Sequence, residues 1–148
     1  MSWPIWHSRL VLAIAVLTLL SGLVQLSVPG LLLNILGAES TPTSRHFFAI
    51  VGMFMFLFGG ALWHALLSRP VQQVVVLWTA LQKVGACTAV GLGVLNAIFS
   101  PLALLVASFD LFSAVVIFWY WRVLQTAPEQ ATTVADRETA LAAVESGG

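Results

Sequence analysis

The sequence contains very little charge, since Asp, Glu, Lys and Arg together make up only 8% of its 148 residues. A soluble domain carries about 25% charged residues, so this chain lacks the polar surface that a water-exposed fold needs. Its formal net charge of zero leaves no electrostatic footprint for binding nucleic acid. The single cysteine, Cys87, excludes an internal disulfide framework. These absences indicate that lipid, rather than water, surrounds the protein.

Long apolar runs take the place of charge, and 59% of the residues are hydrophobic. Breakers divide the chain into runs of about 20 residues, the length that a helix needs to cross the hydrocarbon core. Backbone groups in lipid must be satisfied within their own segment, so each run is predicted to be helical. The first run lacks the small-residue pattern of a cleavage site, and we interpret it as a retained span rather than a signal peptide. The four predicted spans are 10–28, 47–67, 74–95 and 102–121.

These runs predict an all-α integral membrane bundle of four transmembrane helices over residues 1–125. The connection after the first span begins with an apolar stretch, 31–36, that is too short to cross the bilayer. We expect it to lie along the membrane interface and to end at Gly37. Residues 126–148 are predicted to form a polar, flexible cytoplasmic tail, with a short amphipathic helix over 132–144 as the alternative.

The arginines predict the orientation of the spans. One side of the membrane holds Arg9, Arg69, Arg122 and Arg137, and the other side holds Arg45. The positive-inside rule then places both termini in the cytoplasm, an N-in/C-in topology. Because no targeting signal is evident, we expect a multi-pass protein of the bacterial inner membrane.

Small residues predict where the helices pack. Helices in lipid associate at small residues that let their backbones approach, because the hydrophobic effect does not act between them. The four-residue spacing of Gly85, Ala89 and Gly93 in the third span places all three on one helical face. We expect this face to pack tightly inside the bundle, with dimerisation as the alternative. The second span offers Gly52, Gly59 and Gly60.

Two charges fall deep in the membrane, Lys83 in the third span and Asp110 in the fourth. Each costs about 2.5–3.5 kcal/mol near the bilayer centre, and helical rise gives the two similar depths, so we expect them to face each other or a shared polar cavity. The pair is either a lock between two spans or a functional site with Asp110 as proton acceptor and Lys83 as counter-charge, and both interpretations stay open. Candidates to complete a polar interior are Gln25, Gln82, Thr88, Asn96, Ser108 and Ser113.

The histidines do not form a metal site. His46 and His64 stand at opposite ends of the second span, about 27 Å apart at 1.5 Å per residue, and cannot share an ion. No His and Cys residues have the spacing of zinc ligands. We interpret both histidines as interfacial, predict no metal, and leave any cofactor unassigned.

Several short segments recur along the first four-fifths of the chain in an order that is familiar from one group of proteins: Leu36-Gly37, Arg45, Gly52, Phe58-Gly59-Gly60, Lys83-Val84-Gly85 and Asp110-Leu111. In these segments the chain resembles small bacterial four-span membrane proteins that are loosely DoxX-like and largely uncharacterised. The resemblance covers residues 8–124 and implies a four-helix membrane fold, with Lys83 and Asp110 as candidate functional residues.

A weaker resemblance concerns the styrene oxide isomerase family, whose small four-span members hold haem through a histidine at the start of their second span. His46 occupies a comparable place, which implies His46 as a haem-binding residue. The chain departs from that family because it lacks the asparagine shortly after this histidine and the aspartate and tyrosine of the third span.

These observations predict a small non-enzymatic membrane protein, either an accessory subunit or an apolar-ligand-binding bundle with Lys83 and Asp110 in its polar core. The alternative is a membrane-embedded enzyme acting on a lipid-soluble substrate, such as an isomerase or a quinone-linked oxidoreductase component. There Asp110 would be the general base and Lys83 the electrostatic stabiliser, or haem would bind through His46. A transporter would require a homo-oligomer, since four spans hold no inverted repeat. The bilayer is the expected partner, and a membrane protein partner or a second copy stays open.

Overall fold

The computed structural model describes the backbone of residues 5–146 and the side chains of residues 6–126. Its helices are α1 (Ile5–Ser27), α2 (Pro29–Ile35), α3 (Pro42–Leu67), α4 (Gln73–Leu95) and α5 (Leu104–Ser146), and a 3₁₀ turn at Pro101–Ala103 precedes α5. Four stretches are long and apolar enough to cross a membrane: Trp6–Ser27, Pro42–Leu67, Gln73–Leu95 and Pro101–Thr126. The prediction of an all-α bundle with four spans is therefore confirmed.

The observed spans extend beyond the predicted ones, chiefly at their ends. The first begins at Trp6 rather than residue 10, the second at Pro42 rather than residue 47, and the fourth continues to Thr126. The extra residues include polar ones, which a helix accommodates once it has left the hydrocarbon core. The tail predicted over 126–148 falls almost wholly outside the residues whose side chains are described, and it stays a prediction.

The bundle has two ends, and α2 marks one of them. Because the chain crosses back and forth, α2 lies at the same end as the connection between α4 and α5. The backbone N–H of Ser100 in that connection donates to the carbonyl of Leu36, at 2.8 Å, just after α2. We call this the α2 end. The other end holds the start of α1 and the connection between α3 and α4.

A capping box starts α3 immediately after the α2 segment. The Thr41 hydroxyl accepts from the backbone N–H of Ser44 at 3.1 Å, and the Thr41 N–H donates to the Ser44 hydroxyl at 2.9 Å. These bonds satisfy donors that the first helical turn leaves free, and Pro42 at the first helical position needs no such partner. The start of the second span is thus specified locally by its sequence.

Two helices at the α2 end terminate in the same way. In α2, the N–H of Ala38 donates to Leu33 O at 2.9 Å, with Gly37 at φ +68°. In α4, the N–H of Ile98 donates to Gly93 O at 2.8 Å, with Ala97 at φ +55°. Both are Schellman motifs, which usually place glycine at the left-handed position. The predicted end of the short segment at Gly37 is confirmed, and its position along the membrane interface stays a prediction. Alanine at the corresponding position after α4 is unusual.

The helices form two hairpins, α1 with α3 and α4 with α5, and contacts between the hairpins are much sparser than those within them. Glycines bring α1 and α3 into backbone contact. A Cβ added to Gly52 would lie 2.6 Å from the Leu26 nitrogen, and one on Gly59 would lie 2.8 Å from the Leu19 Cα. Gly22 approaches α3 just as closely, because a Cβ added to it would lie 2.7 Å from the Gly52 carbonyl oxygen. Glycine is required at these positions because backbone occupies the space of a side chain.

The glycine face predicted for the third span does not pack inside the bundle. A Cβ on Gly85 would meet nothing within 4 Å, and Ala89 is exposed. Gly93 alone is buried, beneath the Phe99 ring. The prediction was wrong because α4 turns Val76, Ala80 and Lys83 toward the other helices. That rotation leaves Gly85 and Ala89 on the opposite side, facing the membrane.

An apolar core occupies the half of the bundle away from α2. All four spanning helices contribute to it, and its tightest members bury their side chains completely or nearly so. These core residues are Val11, Ile14, Ala15, Leu62, Val76, Ala80 and Ile117.

Candidate functional site

The buried charges of the third and fourth spans form an ion pair. The Lys83 Nζ donates to Asp110 Oδ1 at 2.6 Å, and the exposed fractions of the two side chains are 0% and 3%. The Lys83 ammonium also lies 5.4 Å from the centre of the Phe109 ring, whose π face attracts a cation. The expectation that Lys83 and Asp110 face each other is confirmed. It is the only ion pair found among the described side chains.

The ion pair belongs to a polar layer directly beyond the apolar core. Lys83 follows Ala80 within a turn of α4, and Ser113 stands between Asp110 and the core residue Ile117 on α5. Thr18 follows the core residues of α1 in the same direction. The hydroxyls of Thr18 and Ser113 are buried and make no hydrogen bond among the described residues. The interior is thus apolar in the half of the bundle away from α2, and a thin polar layer borders this core on the side of α2.

The remaining polar candidates divide into two groups. Gln25 is buried and donates from Nε2 to the Phe48 carbonyl at 3.0 Å, which joins α1 to α3, and Ser113 is fully buried. Gln82 is half-buried, and its buried Oε1 makes no hydrogen bond among the described residues. Thr88, Asn96 and Ser108 are exposed. Each of these three bonds to the carbonyl four residues earlier in its own helix: Val84, Leu92 and Leu104. Their assignment to the polar interior was therefore wrong, since a helix can satisfy such side chains by itself in lipid.

The histidines lie apart, as predicted. His46 is exposed at the α2 end, with its ring 6.2 Å from that of Phe47, and His64 is exposed near the other end of α3. Within the described residues, no group of three or more His, Cys, Asp or Glu side chains is placed to hold a metal ion. Neither histidine approaches the Lys83–Asp110 pair, because the pair lies in the bundle interior. A haem-binding role of His46 stays a prediction.

A groove of about 700 Å³ lies at the α2 end, where α2, the start of α3 and the connection after α4 meet. Its volume is in the range of about 300–1,000 Å³ that holds small ligands in proteins. Most of its wall is apolar, and three phenylalanines contribute to it. The lining residues are Leu33, Gly37, Ala38, Glu39, Ser44, Phe47, Phe48, Val51, Ala97, Ile98 and Phe99.

The rim of this groove carries its polar atoms. Glu39 is exposed, and Ser44 donates from its hydroxyl to the Glu39 carbonyl at 2.7 Å. The neighbouring Arg45 is also exposed and donates from Nε to the Ser40 hydroxyl at 2.8 Å. We did not foresee this groove from the sequence. Its only sequence signal was an apolar segment, 31–36, followed by the polar run 39–45 and by phenylalanines.

A second groove, of about 290 Å³, runs between α4 and α5 on their outer side. Aliphatic and aromatic side chains line it almost entirely, among them Leu81, Leu111 and Trp119. Neither groove includes Lys83 or Asp110 in its lining. The ion pair is therefore not part of an open ligand site in this conformation.

The four long apolar helices define the class of the protein as an integral membrane four-helix bundle. No protein-family model, curated protein or solved structure matches the chain.

Proposed function

We propose that the protein is a non-catalytic membrane protein that holds a lipid-soluble ligand in the groove at the α2 end. The observation that carries this proposal is the groove itself, with its apolar wall, its polar rim and its volume of about 700 Å³. The groove lies where the spanning helices end. A ligand with an apolar body and a polar end therefore suits it, because the body can contact the apolar wall and the polar end can contact the rim. In this proposal the protein resides in the bacterial inner membrane with both termini in the cytoplasm, as a relative of the DoxX-like proteins.

The Lys83–Asp110 pair acts in this proposal as a structural lock between α4 and α5. Each charge is the partner of the other, and the near-complete burial of both side chains leaves a substrate no approach. An acid–base site requires a reacting group within hydrogen-bond reach of the catalytic side chain. The rival enzyme hypothesis therefore needs a bundle that opens between α4 and α5.

Native mass spectrometry of the protein, released from its membranes in a mild detergent, tests the proposal. We expect a retained small-molecule mass on the wild-type chain. Val51→Trp fills the groove, because Val51 lines it and is exposed, and we expect this variant to lose the retained mass. Val74→Trp is the matched control, since Val74 is exposed and lines neither groove.

The outcomes separate the candidate functions. A bare chain mass for the wild type, or equal retention by Val51→Trp, would contradict ligand binding in this groove. A retained second polypeptide in place of a small molecule would favour the accessory-subunit function. Thermal unfolding of both tryptophan variants in the same detergent establishes that they are folded.

A further inference from the structure

Two opposite charges at the α2 end, Glu39 and Arg45, form no ion pair among the described side chains. Both residues are exposed. Hydrogen bonds fix the chain around them. Arg45 Nε bonds to the Ser40 hydroxyl, and Ser44 bonds to the Glu39 carbonyl. The same end of the bundle thus presents a carboxylate and a guanidinium that form no ion pair with each other.

The two charges differ in what surrounds them. Glu39 lines the groove, near the C-terminal end of α4, where Ala97 and Ile98 also line it. The C-terminal end of a helix carries partial negative charge, so this part of the rim favours a cation. Arg45 lies instead beside the start of α2, with its Nε 3.0 Å from where a Cβ on Gly30 would stand. Its remaining N–H donors suit the oxygens of a phosphate.

We propose that the groove binds a bilayer phospholipid with a zwitterionic, ethanolamine-type head group. The ammonium group of the lipid bonds to the Glu39 carboxylate, and its phosphate bonds to the Arg45 guanidinium. An acyl chain lies along the apolar wall formed by Phe47, Val51 and Ile98. This inference rests on the proposed function and names the ligand of the same groove.

Charge complementarity selects this ligand over an anionic lipid. A phospholipid with a glycerol head group offers the phosphate for Arg45 but no cation for Glu39. Without an ammonium group, nothing in this head group offsets the negative charge of the Glu39 carboxylate and of the C-terminal end of α4. The two lipids differ by one exposed ion pair, the one with Glu39, so we expect roughly a 1.4- to fivefold preference for the zwitterionic lipid.

The test is lipid competition on the full chain. Purified protein is exchanged into mixed micelles containing equal amounts of phosphatidylethanolamine and phosphatidylglycerol of matched acyl chains. Native mass spectrometry then counts each retained lipid. We expect phosphatidylethanolamine to be enriched on the wild type. We expect Glu39→Gln to lower its retention selectively, whereas Arg45→Gln lowers retention of both lipids. Arg69→Gln is the matched control, since Arg69 is an exposed arginine at the other end of the bundle.

Each outcome decides the proposal. Equal retention of the two lipids by the wild type, or an unchanged lipid ratio in Glu39→Gln, would overturn it. If Val51→Trp still removes a retained ligand in that case, ligand binding in the groove stands and only the head-group assignment fails. If Val51→Trp retains both lipids at wild-type occupancy, ligand binding in this groove fails as well.

Discussion

The two hairpins of this bundle hold their helices together by different means. In the α1–α3 hairpin, glycines allow backbone to touch backbone, as at Gly59 against Leu19. In the α4–α5 hairpin, the Lys83–Asp110 pair joins the helices through side chains, and the glycines of α4 contribute only at Gly93. Lipid provides no hydrophobic drive for helix association, so close packing and polar bonds are the available forces. Each hairpin relies mainly on one of them.

This difference predicts that a second substitution can restore the stability lost by a first one in the α4–α5 hairpin but not in the α1–α3 hairpin. A broken ion pair is repaired when the second charge is removed too, because the cost comes from the charge left unpaired. A clash between an added side chain and the backbone of the neighbouring helix cannot be relieved by shortening a side chain of that helix. Single and double variants of the two hairpins therefore test whether side-chain bonding holds one hairpin and backbone packing holds the other.

The largest effect is expected from breaking the ion pair. Asp110→Asn or Lys83→Met should each lower the free energy of unfolding by about 3–5 kcal/mol, because each leaves a buried charge alone. The double variant Lys83→Met/Asp110→Leu should unfold at or above the wild-type temperature. Unfolding in a fixed detergent, followed by circular dichroism, measures both.

Ligand retention by the same ion-pair variants separates a lock from a functional pair. A stable double variant that keeps the retained ligand supports the structural role. A stable Asp110→Asn protein that has lost an activity toward a lipid-soluble substrate would instead support the enzyme hypothesis. Ser108→Ala is a control on the same helix, because Ser108 is exposed and bonds within α5.

A smaller effect is expected in the α1–α3 hairpin. Gly59→Ala places a Cβ 2.8 Å from the Leu19 Cα and should lower the free energy of unfolding by about 1–3 kcal/mol, the usual cost of overpacking. Gly85→Ala is the matched control, with open space around it, and should leave stability unchanged or raise it. Leu19→Ala should not rescue Gly59→Ala, and a full rescue would show that the contact is made by a side chain rather than by backbone.

The smallest effect is expected at the end of α4. Ala97 has φ +55°, a conformation that glycine adopts without strain. Ala97→Gly should therefore raise the free energy of unfolding by about 0.5–1 kcal/mol. Unfolding under the conditions used for the ion-pair variants measures this gain, and a loss of stability would contradict the left-handed geometry at this residue.

The error in the third span was avoidable from the sequence. Lys83 and Gly85 are two residues apart, so they stand about 200° apart around a helix. Burying Lys83 therefore turns Gly85 outward, and the two expectations for this span could not both be met. The cost of a buried charge exceeds the gain from one close glycine contact, so Lys83 sets the rotation of α4.

The groove at the α2 end, by contrast, could not have been predicted from the sequence. Its wall combines residues 33–51 with residues 97–99, which are remote along the chain. No periodicity or local motif links such segments. The hydrogen bond from Ser100 to Leu36 joins the two hairpins at this place and holds these segments together in the folded structure.

The sequence by itself determined that lipid surrounds the protein, how many spans it has and that its two buried charges pair. Each of these follows from a large local cost, that of exposing apolar residues to water or of leaving backbone or charge unsatisfied in lipid. Only the tertiary structure decided which glycines touch a neighbouring helix, which polar side chains point inward and where a groove opens. These features depend on the rotation of each helix about its axis, and many small packing contacts across the whole bundle set that rotation together.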